Sequence, residues 1–241
     1  MKRLLILAII AGCCANAEAR PVKIERNSTA LEFTYEWPIE AAAVPVLDRR
    51  FRAELAKEYR EALANAQRDE ILARQQKRDY NQELYSMQWS TAGQTPRLLS
   101  LQSQLGTFSG GAHPNSNSGA LLWDRRLNQQ ISVDAFFLQK HTFSGLTRIR
   151  YCALLNAERR KRRQSEKLGG DFDQCPKYSE LAIDPVDKDK DGRFDTIAFV
   201  ASPYVAGPYV EGDYEIEATV TRQLIAGLKP AYRGSFEPQR Q

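Results

Sequence analysis

Histidine, cysteine and methionine are scarce in this 241-residue chain, which holds two, four and two of them. Cys13 and Cys14 lie at the end of an N-terminal apolar run, so only Cys152 and Cys175 remain for the body of the protein. That is too little sulfur and imidazole for a zinc centre. A second long apolar run is also missing, which leaves nothing else to read as a membrane-spanning helix. Strong net charge is lacking: the formal value is +4, small enough to argue against a nucleic-acid binder. There is no internal repeat and no low-complexity tract, so neither a solenoid nor a disordered scaffold is indicated.

What is present begins with a leader. Lys2 and Arg3 precede an apolar run from Leu4 to Ala11, too short to cross a bilayer but suited to a secretory signal. Residues 1–19 are read as that signal, and two cleavage sites stay open. Ile10-Ala11-Gly12-Cys13 resembles a lipobox, in which Cys13 is lipidated and anchors the protein to a membrane; Ala17-Glu18-Ala19 resembles an ordinary small-x-small site. Either cut removes Lys2 and Arg3, and the second also removes Glu18, so the mature chain carries +2 or +3. The expected location is the periplasm or cell surface. In an oxidising compartment Cys152 and Cys175 are expected to form one disulfide.

Residues 20–30 are polar and unpatterned and read as a tether. Leu31 to Trp37 alternates with period two and stops at Pro38, a strand. From Val44 to about Gln76, Leu47, Phe51, Leu55, Tyr59 and Leu63 recur every four residues, a long amphipathic helix with one apolar stripe for the core. Strands are expected within Arg97–Phe108, Gly119–Trp123 and Gln130–Val133, the last two joined as a hairpin. Asp134 is the expected N-cap of a short helix, Ala135–Lys140, and a further helix runs from about Gly145 into the basic run ERRKRR. Strands near Leu181–Ile183, Phe194–Ala201 and Tyr214–Val220 and a short helix at Thr221–Leu228 complete an α+β fold, an antiparallel sheet packed on helices.

Three stretches carry chemistry. In GTFSGGAHPNSNSGALLWD, residues 106–124, Gly110 and Gly111 allow a sharp turn or backbone amides that face a ligand. Neither the Walker nor the dinucleotide spacing is met. Ser109 and His113 show no orienting third group for nucleophilic catalysis. In DKDKDGRFD, residues 187–195, Asp187, Asp189, Asp191 and Asp195 occupy positions 1, 3, 5 and 9 of an EF-hand-like loop, with Gly192 at the turn. Position 12 is Ala198 rather than Glu, so Ca²⁺ binding and a plain Asp-Gly turn both stay open. The run Arg159-Arg160-Lys161-Arg162-Arg163 reads as a solvated helix face, with attraction to anionic headgroups or wall polymers as the alternative.

The stretch LGTFSGGAHPNSNSGALLWD, with LDRRFRAEL ahead of it and LNQQISVDAFF behind, resembles the bacterial envelope domain of the RsiV/PdaC type. SPYVAGPYVEGDYEI, residues 202–216, is similar to that domain's second landmark. The resemblance implies a single domain over residues 31–235 and a non-catalytic binding module for peptidoglycan fragments or a lysozyme-like muramidase. It makes Ser109, Gly110, Gly111, His113, Tyr204 and Gly207 candidates for one shared surface. The rival expectation is an envelope hydrolase or deacetylase that uses His113 with a nearby carboxylate.

Overall fold

The computed structural model describes residues 20–139, 142–164 and 166–239. Cys13 and both cleavage sites lie outside the described residues. Six strands, β1 (Val22–Asn27), β2 (Leu31–Trp37), β3 (Glu83–Gln94), β4 (Leu98–Phe108), β5 (Asn115–Asp124) and β6 (Gln129–Ile131), form one sheet in sequence order. Three more, β7 (Ala182–Val186), β8 (Thr196–Ala201) and β9 (Tyr214–Thr219), form a second, antiparallel sheet. The helices are a single turn α1 (Ile39–Ala42), the long α2 (Pro45–Gln75), α3 (Thr142–Arg162), α4 (Arg222–Gly227) and the short α5 (Pro230–Arg233).

The α+β class and the long amphipathic helix are as the sequence indicates. Two strands were hidden in it. Residues 20–30, read as a tether, contain β1, which pairs Val22 with Trp37 through Asn27 with Glu32. As an edge strand, β1 turns only Val22 and Ile24 toward the core and is otherwise polar and exposed, too short an apolar pattern to announce it. β3 is likewise mostly polar. It runs parallel to β2, with Leu31 opposite Glu83, because α2 carries the chain back to the starting end of the sheet.

The stripe on α2 does what its spacing indicates: Leu47, Phe51 and Leu55 are buried against Phe33, Tyr35 and Trp37 of β2. Polar tips on this layer find partners, with Trp37 Nε1 donating to Asp48 Oδ1 at 3.1 Å and Tyr35 Oη to Glu54 Oε2 at 3.2 Å. On β4, Leu99 and Leu101 join this core while Leu98 joins a second one on the other face. That alternation shows the six-stranded sheet covered on both sides. The second core holds Phe199 and Ile197 of β8, Tyr214 and Ile216 of β9, and Tyr151 and Leu155 of α3. Tyr151 stacks on Phe199 with ring centroids 4.8 Å apart. The layers are therefore α2, large sheet, small sheet and α3.

The Cys152–Cys175 disulfide is present, with sulfurs 2.02 Å apart, and it encloses the basic run. The short helix expected at Ala135–Lys140 is instead a 3-10 turn at Val133–Phe136, with Ser132 rather than Asp134 in the N-cap position. Phe136 and Phe137 are pulled into the core there, which sets the backbone more strongly than the cap does. Asp124, last residue of the GTFSGG…LLWD stretch, is a structural post. Fully buried, it accepts from Arg97 Nε and Nη2 at 3.0 and 2.8 Å, from Tyr232 Oη at 3.0 Å and from the Arg126 and Leu127 amides. Burial opposes its charge, yet Arg97 and these donors hold its pKa below the ordinary carboxylate value.

Candidate functional site

The turn between β4 and β5 spans residues 109–114, and Gly110 takes φ +79 there, a conformation that favours glycine. The turn presents different groups to two sides. His113, at its far end, lies with its imidazole flat on the Tyr209 ring, centroids 3.7 Å apart and planes 19° from parallel. Its Nδ1 is 2.8 Å from the Pro114 carbonyl oxygen, which can only accept, so Nδ1 carries the proton. In the neutral ring Nε2 is then an acceptor, facing the Tyr204 hydroxyl at 3.5 Å. Tyr204 and Tyr209 rings stand 6.0 Å apart. His113 and Tyr204, 91 positions apart, are thus brought together as the sequence reading wanted, and Tyr209 joins them.

Tyr204 sits at φ +70, a left-handed conformation costing a side-chain-bearing residue about 1 to 2 kcal/mol. The turn is closed by Tyr204 N donating to Gly207 O at 2.9 Å and Val205 N to Ser202 O at 3.0 Å. The Tyr204 ring is 56 % exposed and neighbouring Val210 is 88 % exposed, so this corner projects apolar surface into solvent on a strained backbone. Ser202 ties the corner to β5: its Oγ accepts from Ser118 N and donates to Asn117 Oδ1, both at 2.9 Å.

Beneath the corner lies the basic run, and here the solvated-face reading needs correcting. Arg159 and Arg163 are buried. Arg159 donates Nε and Nη2 to the Ala206 carbonyl at 3.0 and 2.8 Å, and Arg163 Nη2 reaches the same oxygen at 3.1 Å. Arg163 grips Glu211 in a two-point ion pair, at 2.8 and 2.9 Å, and Asp173 at 2.8 Å. Arg162 donates to the carbonyls of Glu211 and Asp213 and lies 4.0 Å over the Tyr214 ring. Arg163 holds Glu211 below its ordinary carboxylate pKa against the opposing effect of burial, and burial with Glu211 pushes Tyr214 up to about 12. Three of the five basic residues are therefore a clamp on loop 202–213, and two of them, Arg159 and Arg163, are withdrawn from headgroups or polymers. Five like charges in five residues read as surface because the main acceptors of the buried pair, the Ala206 carbonyl and Glu211, are more than 40 positions away in sequence.

Gly207 belongs to the clamp rather than to the exposed surface: a Cβ there would overlap the Glu211 carboxylate and press on Tyr214. Ser109 and Gly110 also leave the His113 group. They line cavities at the opposite side of the turn, toward α2. Gly111 is exposed and ordinary in φ. The expected six-residue surface thus divides into His113 with Tyr204, a separate Ser109–Gly110 wall, and a structural Gly207. Tyr209 was missed, although Pro-Tyr-Val occurs twice, at 203–205 and 208–210, and the repeat could have flagged it.

In loop 187–195 the carboxylates of Asp187, Asp189 and Asp191 lie within 4.8 Å of one another. Asp195 does not join them. It is buried and accepts from Lys188 N at 3.2 Å. Asp187 accepts from the Asp191 and Gly192 amides, and Gly192 has φ +89. As the flanking sequence implies, strands rather than helices hold this loop.

Residues 24–116 match the family model described as deacetylase PdaC. Two solved structures share the fold. One is a DUF3298 family protein from Pseudomonas aeruginosa PAO1, 14 % identical, with a TM-score of 0.56, covering 92 % of this chain and 98 % of that one. The other is a DUF3298 family member from Bacteroides fragilis NCTC 9343, 15 % identical, with a TM-score of 0.50, covering 90 % and 96 %. No curated protein matches the sequence. The turn with Ser109, Gly110, Gly111 and His113 lies inside the PdaC match, while Tyr204, Tyr209 and the arginine clamp lie beyond it. Residues 24–116 are thus similar to the PdaC family model, and the chain as a whole shares the fold of the two DUF3298 family structures.

Proposed function

We propose that this protein is a non-catalytic binding module of the bacterial cell envelope, and that the His113–Tyr204–Tyr209 corner is its contact with peptidoglycan fragments. The similarity of residues 24–116 to the PdaC family model supports an envelope-associated domain. The observation that carries the ligand reading is the stacked His113–Tyr209 pair beside an exposed Tyr204 held at φ +70. Flat rings edged by an imidazole nitrogen and a hydroxyl suit a sugar, which offers an apolar face ringed by hydroxyls. Backbone strain maintained at an exposed aromatic is a feature of recognition sites. A muramidase that handles the same polymer is the alternative partner. The hydrolase or deacetylase alternative draws less support, because the His113 nitrogens meet a carbonyl and a phenol, not a carboxylate. Among the described residues no helix is long and apolar enough to cross a membrane. Attachment through a lipid on Cys13 belongs to the same proposal.

The test uses Tyr204→Gly and His113→Ala. Relief of the left-handed strain should leave Tyr204→Gly at least as stable as the wild type in thermal unfolding. Binding to soluble wall fragments should fall about tenfold or more in both variants, and none of the proteins should release product. Binding retained by a muramidase alone would reassign the partner. Hydrolysis or deacetylation by the wild type that His113→Ala abolishes would overturn the module.

A further inference from the structure

On the other side of the SGG turn, Glu83 opens β3 facing the second half of α2. It is 8 % exposed, and its Oε1 is buried with no hydrogen-bond donor. Two cavities, of about 210 and 300 Å³, share Glu83 and Ser109 in their walls; Gly110 lines the larger. Asp69 of α2 lines the larger cavity and presents its carboxyl to Glu83. A carboxyl facing a second carboxyl favours a proton or a cation held between them.

We propose that Glu83 and Asp69, with the Ser109–Gly110 turn, form a binding site for the primary ammonium group of a small organic amine. An ammonium has three donors and one charge. It can donate to the Glu83 and Asp69 carboxyls in place of one shared proton, in a cavity that Ser109 also lines. Burial and the facing Asp69 carboxyl push Glu83 up to about 7, so near neutrality Glu83 is about half protonated and an ammonium can take the place of that proton. A divalent metal would need both groups ionised and six or more oxygens for Ca²⁺. The cavities are also sized for a molecule rather than an ion.

The surroundings favour a cation and leave the central place open. Glu58 and Glu61 line the smaller cavity, and Asp79 the larger. Lys57, an exposed lysine nearby in sequence, pairs with Glu58 and Glu61 at 3.2 and 3.8 Å and does not line either cavity. Arg78, in the wall of the larger cavity, donates Nε to Gln76 at 2.8 Å. Tyr80 spends its hydroxyl on the carbonyls of Ala30 and Ala66, at 2.8 and 3.2 Å. Burial pushes the Tyr85 phenol, on the smaller cavity's wall, well above its ordinary value, so it stays neutral through the pH range of interest.

The experiment is calorimetric titration of the protein with 1,5-diaminopentane, in two buffers of different ionisation enthalpy. 1,5-Pentanediol is the neutral control, and tetramethylammonium is a cation without N–H donors. The expected result is binding of the diamine at roughly 1 mM, with proton release near neutral pH and tighter binding as pH rises through the Glu83 value. Neither control should bind. Asp69→Asn, at a position on the outer part of the helix, and Glu83→Gln should each weaken the diamine about tenfold or more. Glu83→Gln should also gain thermal stability at pH about 8, since it removes a buried charge without changing shape. The absence of diamine binding at about 10 mM, ten times the expected constant, would overturn the site. So would binding that both variants retain, or tetramethylammonium binding as tightly as the diamine.

Discussion

Loops 202–213 and 187–195 both concentrate charge, and they end in opposite internal balances. The first closes around cations that reach it from α3, so that Arg159, Arg162 and Arg163 meet a carboxylate and three backbone carbonyls. In the second, three aspartates converge while two of the loop's own cations pair with acids outside the loop, Lys188 with Glu217 and Arg193 with Glu237. Charge drawn from far along the chain becomes internal support. Charge drawn from within one loop leaves an acidic centre whose neighbouring cations are paired elsewhere. The first arrangement should be sensitive to loss of one side chain, and the second to what is in solution.

The largest effect should follow Arg163→Ala. It leaves Glu211 ionised beneath the loop, and breaking a buried pair from one side costs about 3 to 5 kcal/mol. Chemical denaturation measures this, and the His113–Tyr204 corner should lose its ligand in the same variant. The clamp also sets an acid limit. Arg163 holds Glu211 below its unfolded value, so its contribution is complete above about pH 4.3 and is lost as pH falls through the folded value. Arg163→Ala should flatten that part of the stability–pH curve.

Next in size is the bridge that pins the same region. Cys152→Ala/Cys175→Ala opens a 23-residue separation and should cost about 2 to 5 kcal/mol. Because Asp173, an Arg163 partner, lies just before Cys175, the loss should overlap with that of Arg163→Ala. A combined variant that is fully additive would separate the two devices.

The smallest effect concerns the acidic loop, for which we propose weak Ca²⁺ binding. With a dissociation constant of about 1 mM, Ca²⁺ at about 10 mM should stabilise by about 1.4 kcal/mol and raise Tm by roughly 3 to 5 °C. Asp187→Ala/Asp189→Ala should abolish the rise. No shift in the wild type would leave a turn held by Asp187 and its own amides, and the contrast between the loops would then be one of geometry alone.

How much of this was legible depended on range. Period-two and period-four spacings located β2 and α2 because each pattern is completed within its own element. The Cys152–Cys175 pair was legible because no other partners remained. β1 and β3 were not, since their inward residues, Val22 and Ile24 in one and Tyr85, Met87 and Trp89 in the other, are few and set among polar neighbours. The meeting of His113 with Tyr204 followed from resemblance and not from spacing. Arg159 and Arg163 looked like surface because burial of a guanidinium is decided by the Ala206 carbonyl and Glu211, which no local window contains. Glu83 gave no signal at all: a single acid at a strand start acquires its character only when Asp69 is folded against it.

The strand order has a kinetic consequence. From β1 to β6 each strand lies beside the one made immediately before it, so the large sheet can grow in the order in which the chain emerges, with α2 covering one face early. The opposite face, with Leu98 and Leu122, is covered by residues that come later, and the last ties join Phe194 to Phe236 and Phe137 to Leu228. A chain delivered N-terminus first therefore passes through a stage in which the sheet is complete and one apolar side is bare. That interval is when aggregation competes with folding, and its length is set by how quickly the residues after β6 arrive and dock.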